Sequence, residues 1–138
     1  MKERRGKARW RRPHTLREVV RNADNVEDMG LNLAEFLDHI NFLLRKKSPR
    51  TVLFAAIRGE PPLTGNTTHD AYLAAVATHL ANSHRLPRPA WVDKSSRRLD
   101  RPWFAIPDPW ARAWLLRDSP AAFRERNLFT TECAIQRV

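Results

Sequence analysis

The sequence predicts an all-α protein: a compact single domain of five to six helices with a long aromatic-rich loop and a disordered basic N-terminal arm. Two observations predict this fold class. Apolar residues recur at three- and four-residue steps in several segments, which is the period of a helix that buries one face. No segment alternates apolar and polar residues over more than four positions, as a half-buried strand would. The chain of 138 residues has the usual length of one domain.

The N-terminus carries most of the excess positive charge. Lysine and arginine number 25 against 15 acidic residues, which gives a formal net charge of +10. Residues 1–12 hold seven basic residues and one acid, so this short segment accounts for +6 of that charge. It lacks hydrophobic periodicity and repels itself, so we expect residues 1–14 to form a flexible basic arm and residues 15–138 to form the helical domain.

The first two helices are predicted from capping residues and one apolar stripe. Thr15 followed by Glu18 forms a capping box, which starts a helix that ends near Ala23. The next helix spans about residues 32–45, with Asn32 as its cap. The apolar stripe of this second helix consists of Leu33, Phe36, Leu37, Ile40 and Leu44.

Further helices are predicted after turn-forming residues. Ser48-Pro49 opens a short helix that ends at Gly59, and an alanine-rich helix follows over about residues 68–83. Residues 84–108 predict a long loop, because prolines and charged residues separate its aromatic residues. We expect the aromatic side chains to hold this loop against the core. Helical turns are expected at residues 109–118, after Ser119-Pro120 and at 131–136, while a short strand near 128–130 stays open as an alternative.

The arm is the predicted nucleic-acid-binding segment. Its cations could neutralise several phosphates, and an indole among them could stack on one base. The residues assigned to this role are Lys2, Arg4, Arg5, Lys7, Arg9, Trp10, Arg11 and Arg12. A solvated tail, or a segment that meets an acidic protein, would have the same composition. The sequence leaves the choice between DNA and RNA open, together with the oligomeric state.

The loop aromatics Trp91, Trp103 and Trp110 are the predicted protein-binding residues. Tryptophan is enriched in the residues that dominate binding energy at protein interfaces. The alternative is that these rings only pack the long loop against the helices.

Catalysis, cofactor binding and metal binding are not predicted. No two histidines have the i, i+3 or i, i+4 spacing of a helical metal site, and Cys133 is the only cysteine. Neither a G-x-S-x-G motif nor a phosphate-binding glycine loop occurs. Residues 15–45 do not resemble a DNA-reading helix-turn-helix, because the connection between the two helices predicted there is too long. The charged start and the lack of a long apolar run predict a cytoplasmic protein that does not bind membranes.

Several motifs in residues 70–138 resemble a bacterial family of small helical proteins. They are DAYLAAVATHLANSHRLPRPAWV, RLDRPWF and SPAAFRERNLFTTECAIQRV, and TLREVV, LAEFLDHI and LFAAIRGEPP extend the similarity to residue 15. Many members of that family carry a helix-turn-helix domain, which this chain lacks, and are described as regulators or antitoxin-like partners of nucleotidyltransferase-like proteins. The resemblance implies no catalytic residue. It marks as architectural Trp91, Pro102, Trp103, Phe104, Phe123, Arg126 and Asn127.

The sequence therefore predicts a non-catalytic, antitoxin-like or regulatory binding protein. Its helical body would engage a protein partner, for which the resemblance implies a nucleotidyltransferase-like protein, and its arm would add affinity for nucleic acid or an acidic surface. The alternative is a stand-alone nucleic-acid-binding protein that acts through the arm.

Overall fold

The computed structural model describes residues 11–131. This part of the chain contains six α-helices: α1 (Leu16–Arg21), α2 (Val26–Arg45), α3 (Arg50–Arg58), α4 (Thr67–His84), α5 (Arg112–Asp118) and α6 (Ala121–Arg124). Three short 3-10 helices occupy Ala90–Asp93, Ser95–Arg97 and Pro109–Ala111. The two strands, β1 (Trp103–Phe104) and β2 (Leu128–Phe129), pair in parallel with Trp103 beside Leu128. The predicted all-α class is confirmed, and the short strand left open near residues 128–130 is present as β2. The helical turn predicted at residues 131–136 lies, except for residue 131, outside the described residues.

Helix α4 lies at the centre of the core. Ten of its residues are buried, and its alanines let neighbouring segments approach closely. It packs against α3, α6 and the two 3-10 helices of the long loop, while α1 packs on α2. The main core joins residues from α1, α2, α3, α4, α6, the first 3-10 helix and β2, and a second, smaller cluster consists of Ala111, Leu115 and Phe129.

The start of α2 differs from the prediction. The helix begins at Val26, and its cap is Asn25, whose side chain accepts a hydrogen bond from the Asp28 N–H at 2.8 Å. Asn32 lies inside the helix and is buried, and its amide donates to the Val19 carbonyl at 3.2 Å. The first turns of α2 are largely exposed, so the apolar stripe begins only after the helix has started.

The long loop is fixed to the helical body by buried side chains, as the sequence predicts. Trp91 is buried in the first of the loop's 3-10 helices (Ala90–Asp93), and this helix and the next one (Ser95–Arg97) both pack on α4. The loop is more regular than expected, because it also contributes β1. No helix among the described residues is long and apolar enough to cross a bilayer.

Candidate binding surfaces

Most of the predicted nucleic-acid-binding residues lie outside the described part of the chain. These are Lys2, Arg4, Arg5, Lys7, Arg9 and Trp10. Arg11 and Arg12 are described, and both are exposed. The Arg12 guanidinium pairs with Glu35 of α2, with 3.2 Å between Nε and Oε1. Because both side chains are well exposed, this pair holds Arg12 only weakly and leaves it accessible.

The segment that joins the arm to α1 is anchored by several local contacts. Pro13 is buried, and the backbone N–H of His14 donates to the Glu18 carboxylate at 2.7 Å. Glu18 N–H in turn donates to the Thr15 hydroxyl at 3.1 Å, so the predicted capping residues do interact. Residues 13 and 14, which the sequence assigns to the flexible arm, are therefore anchored to the helical body.

His14 also stacks on His39 of α2. The ring centroids are 4.0 Å apart and the planes differ by 6°. Burial lowers the pKa of His39, and the neighbouring His14 and Arg12 lower it further, while Glu18 acts in the opposite direction. The two histidines are distant in sequence, so helical spacing gives no signal that could reveal this pair. Among residues 11–131, no cluster of three His, Cys, Asp or Glu side chains could hold a metal ion.

Trp91 is placed differently from the other two predicted protein-binding aromatics. It is only 5% exposed, and its indole N–H donates to the Ile57 carbonyl at 3.0 Å. The guanidinium of Arg97 lies over its ring at 4.9 Å from the centroid. Trp91 therefore holds the loop onto α3 and presents no free surface to a partner.

Trp103 and Trp110 are exposed. Trp110 has 70% of its surface accessible and Trp103 has 36%. Trp110 stacks on Trp114 with centroids 6.4 Å apart and 13° between the planes. Trp114 is 37% exposed, whereas its neighbour Leu115 is buried. We refer to Trp110 and Trp114 as the tryptophan platform.

The tryptophan platform stands on the smaller core cluster. Leu115 and Ala111, which flank the two tryptophans in sequence, pack with Phe129 of β2. Phe104 of β1 stacks on Phe129 at 5.1 Å, and the Arg112 guanidinium covers the Phe104 ring at 4.6 Å. The platform is thus supported by side chains from both strands, and Trp103 extends from the same strand as Phe104.

Two buried arginines fix the long loop and the chain after α6. Arg97 donates to the carbonyl oxygens of Asp70 and Pro61 and to the Glu60 carboxylate, at 3.2, 2.6 and 3.0 Å. Arg126 donates to Thr78 Oγ1 and to the Val92 carbonyl, at 3.0 and 2.9 Å.

Sequence reasoning missed Arg97, because arginine is seldom fully buried unless it is paired. The architectural role that the resemblance implies for Arg126 matches its position.

Comparison with known proteins gives no relative: the chain matches no family model, no curated protein and no solved structure. The resemblance based on motifs remains a prediction.

Proposed function

We propose that this protein is a non-catalytic, antitoxin-like or regulatory binding protein. Its helical body holds a protein partner at the tryptophan platform, and its basic arm adds affinity for nucleic acid or an acidic surface. The exposed, mutually stacked pair Trp110 and Trp114 is the observation that supports this proposal most strongly.

Large aromatic side chains are suited to this role for physical reasons. Burying an exposed tryptophan removes a large apolar area from water, and a ring that is already held loses little rotational freedom on binding. The platform rings stack on each other, and Trp110 Nε1 also donates to Asp108 at 3.3 Å. Trp103 lies in β1 next to Phe104, and successive side chains of a strand point to opposite faces. Trp103 is therefore not counted as part of the platform.

The motif resemblance supplies the class of the partner, a nucleotidyltransferase-like protein. The lack of catalytic motifs in the sequence agrees with a protein that acts by binding. An antitoxin-like role requires only that the partner is held in a stable complex, which a hydrophobic patch with a charged surround can provide.

The test is a pull-down with the tagged full chain from native cell extract, with and without nuclease, followed by identification of the retained proteins. The wild-type chain should retain a stoichiometric protein that survives nuclease treatment. The double variant Trp110→Ala, Trp114→Ala should lose it. Complex formation between the purified partner and the chain then gives the affinity directly.

A matched control removes exposed apolar surface elsewhere. Leu31 is 67% exposed and Leu63 is 56% exposed, and neither adjoins the platform in sequence. The variant Leu31→Ala, Leu63→Ala should retain the partner as the wild type does. The proposal fails if the wild type retains no protein, or if both double variants behave alike.

The second candidate function is nucleic-acid binding through the arm alone. Two observations favour it: residues 1–12 carry a net charge of +6, and Arg11 and Arg12 are exposed. If about five phosphates were contacted, the logarithm of the association constant would fall with log salt at a slope near −4.5 for duplex DNA. Replacing the arm's basic residues by glutamine should remove most of this slope, and binding that is insensitive to salt would rule the candidate out.

A further inference from the structure

A cleft on the helical body lies between α1, α3 and the turn that follows Pro89. It is open to solvent and has a volume of about 790 Å³. This is within the range of sites that hold small molecules or single residues of a polymer. Its walls include Arg17, Arg58, Arg88 and Lys94, the acid Glu60, and the ring of Phe54.

The cleft is cationic. Four basic residues and one acid line it, and the acid, Glu60, is already neutralised. Lys94 donates to one oxygen of Glu60 at 2.7 Å and Arg97 to the other at 3.0 Å. Burial opposes ionisation of this carboxyl, but the hydrogen bonds and charges of the two cations outweigh burial and lower the pKa of Glu60. Glu60 thus stays ionised and paired at neutral pH.

The other two arginines of the cleft, Arg17 and Arg58, have no carboxylate partner in the described part of the chain. Within residues 11–131 neither forms an ion pair, whereas Arg88 is paired with Asp93 and Glu125. Two uncompensated guanidinium groups on the wall of one cleft produce a positive potential there. Arginine is the preferred side chain for phosphate, because its planar group donates two parallel hydrogen bonds.

Arg17 is also held in position by the backbone of the cleft. Its Nε donates to the Glu60 carbonyl at 3.2 Å. Its guanidinium carbon lies so close to Gly59 that a Cβ at this position would approach it to 3.2 Å. The absence of a side chain at Gly59 therefore makes room for the guanidinium group.

The remaining wall of the cleft is apolar. It includes the half-buried ring of Phe54 together with Pro89 and Ala90. Proteins that bind single-stranded nucleic acid without sequence preference combine these two features: cations that follow the backbone and aromatic rings on which bases stack.

We propose that this cleft binds single-stranded nucleic acid, with backbone phosphates on Arg17 and Arg58 and a base against Phe54. This inference rests on the nucleic-acid part of the proposed function and gives it a second site on the helical body. Arg17 follows Arg12 by five positions, so their Cα atoms are at most about 18 Å apart. A strand held by the arm can therefore continue into the cleft.

The experiment uses the full chain and a fluorescent oligo-dT strand, titrated at several salt concentrations. The variant Arg17→Gln, Arg58→Gln should bind more weakly, and its slope of log affinity against log salt should be smaller by about 1.4, the value for two single-strand phosphate contacts. The control Arg98→Gln, Arg101→Gln removes the same charge from two exposed arginines outside the cleft. Arg17→Lys, Arg58→Lys keeps the charge and should recover most of the slope.

Equal slopes in the Arg17/Arg58 and Arg98/Arg101 glutamine variants would overturn the cleft assignment and leave the arm as the binding segment. A variant whose arm carries no basic residues tests the cleft independently of the arm. If the cleft binds the strand, this variant still binds weakly, and the added substitution Arg17→Gln weakens its binding further. Polyglutamate is the competitor that tests for an acidic protein ligand. If it displaced the strand at equal charge concentration, the cleft would be a general anion surface and the proposal would be wrong. Thermal unfolding of each variant checks that the fold is retained.

Discussion

The indole N–H of Trp91 donates to the backbone carbonyl of Ile57 at 3.0 Å, and the bond is buried. Ile57 lies in the last turn of α3, where carbonyl groups lack partners within the helix. The Trp91 side chain thus donates a hydrogen bond to a carbonyl group at the end of α3 and anchors the long loop beside the cleft.

This bond predicts a difference between two tryptophans. Trp91→Phe should lower the free energy of unfolding by about 1–3 kcal/mol, because it leaves the buried Ile57 carbonyl without its donor. Trp110→Phe should change it by less than about 0.5 kcal/mol, since Trp110 is exposed. Urea denaturation measures both values. Equal losses in the two variants would contradict the anchoring role.

Arg97 should be among the most sensitive positions in the chain. Arg97→Ala removes the donor to the buried Pro61 and Asp70 carbonyl groups and leaves Glu60 with Lys94 as its cationic partner. We expect a loss of about 3–5 kcal/mol in the free energy of unfolding, because buried acceptors lose their donor and the removed side chain leaves a cavity. Arg98→Ala is the neighbouring control, because Arg98 is exposed. Denaturant unfolding would contradict the prediction if the two variants had similar midpoints.

At position 127, replacing asparagine by glycine should destabilise the fold less than replacing it by alanine. The φ of Asn127 is +65°, in the left-handed region, and its side-chain amide donates to the Leu99 carbonyl at 2.8 Å. Alanine loses the hydrogen bond and is strained there, whereas glycine loses only the bond. Asn127→Ala should therefore be less stable than Asn127→Gly by about 1 kcal/mol. Thermal unfolding tests the order, and a more stable alanine variant would show that φ is not the deciding factor.

Stability should decrease as the pH falls below neutrality. The folded-state pKa of His39 is lower than its ordinary value of 6.5, chiefly because of burial, and burial lowers the pKa of His84 as well. As the pH drops through 6.5, the unfolded chain binds protons that the folded chain does not, so unfolding becomes more favourable. Above that range both states are neutral at these histidines and the effect is absent.

The variant His39→Phe should make the melting temperature less dependent on pH between about 7.5 and 5.5. Phenylalanine preserves a ring that can stack on His14 but cannot take up a proton. His69→Gln is the control, because His69 is outside this stack. If His39→Phe and the wild type lose the same number of degrees over this range, His39 does not contribute to the acid sensitivity.

The sequence determined the class of the fold and most helix positions. Thr15 caps α1 and Gly59 ends α3, as local rules of capping predict. The range predicted for the alanine-rich helix agrees with that of α4 to within one residue at each end. These features depend on residues that are close in sequence, so periodicity and capping contain the necessary information. The start of α2 was predicted wrongly, because its first turns face solvent and carry no apolar stripe.

Only the tertiary structure decided which residues form surfaces and sites. Trp91, Trp103 and Trp110 look equivalent in the sequence, yet Trp91 is buried under Arg97 and Trp110 is exposed beside Trp114. Arg17 and Arg58 meet at one cleft, although they belong to different helices. The physical reason is that burial and charge pairing depend on neighbours brought together by packing. A single sequence gives the chemical character of each side chain, while the folded chain decides what surrounds it.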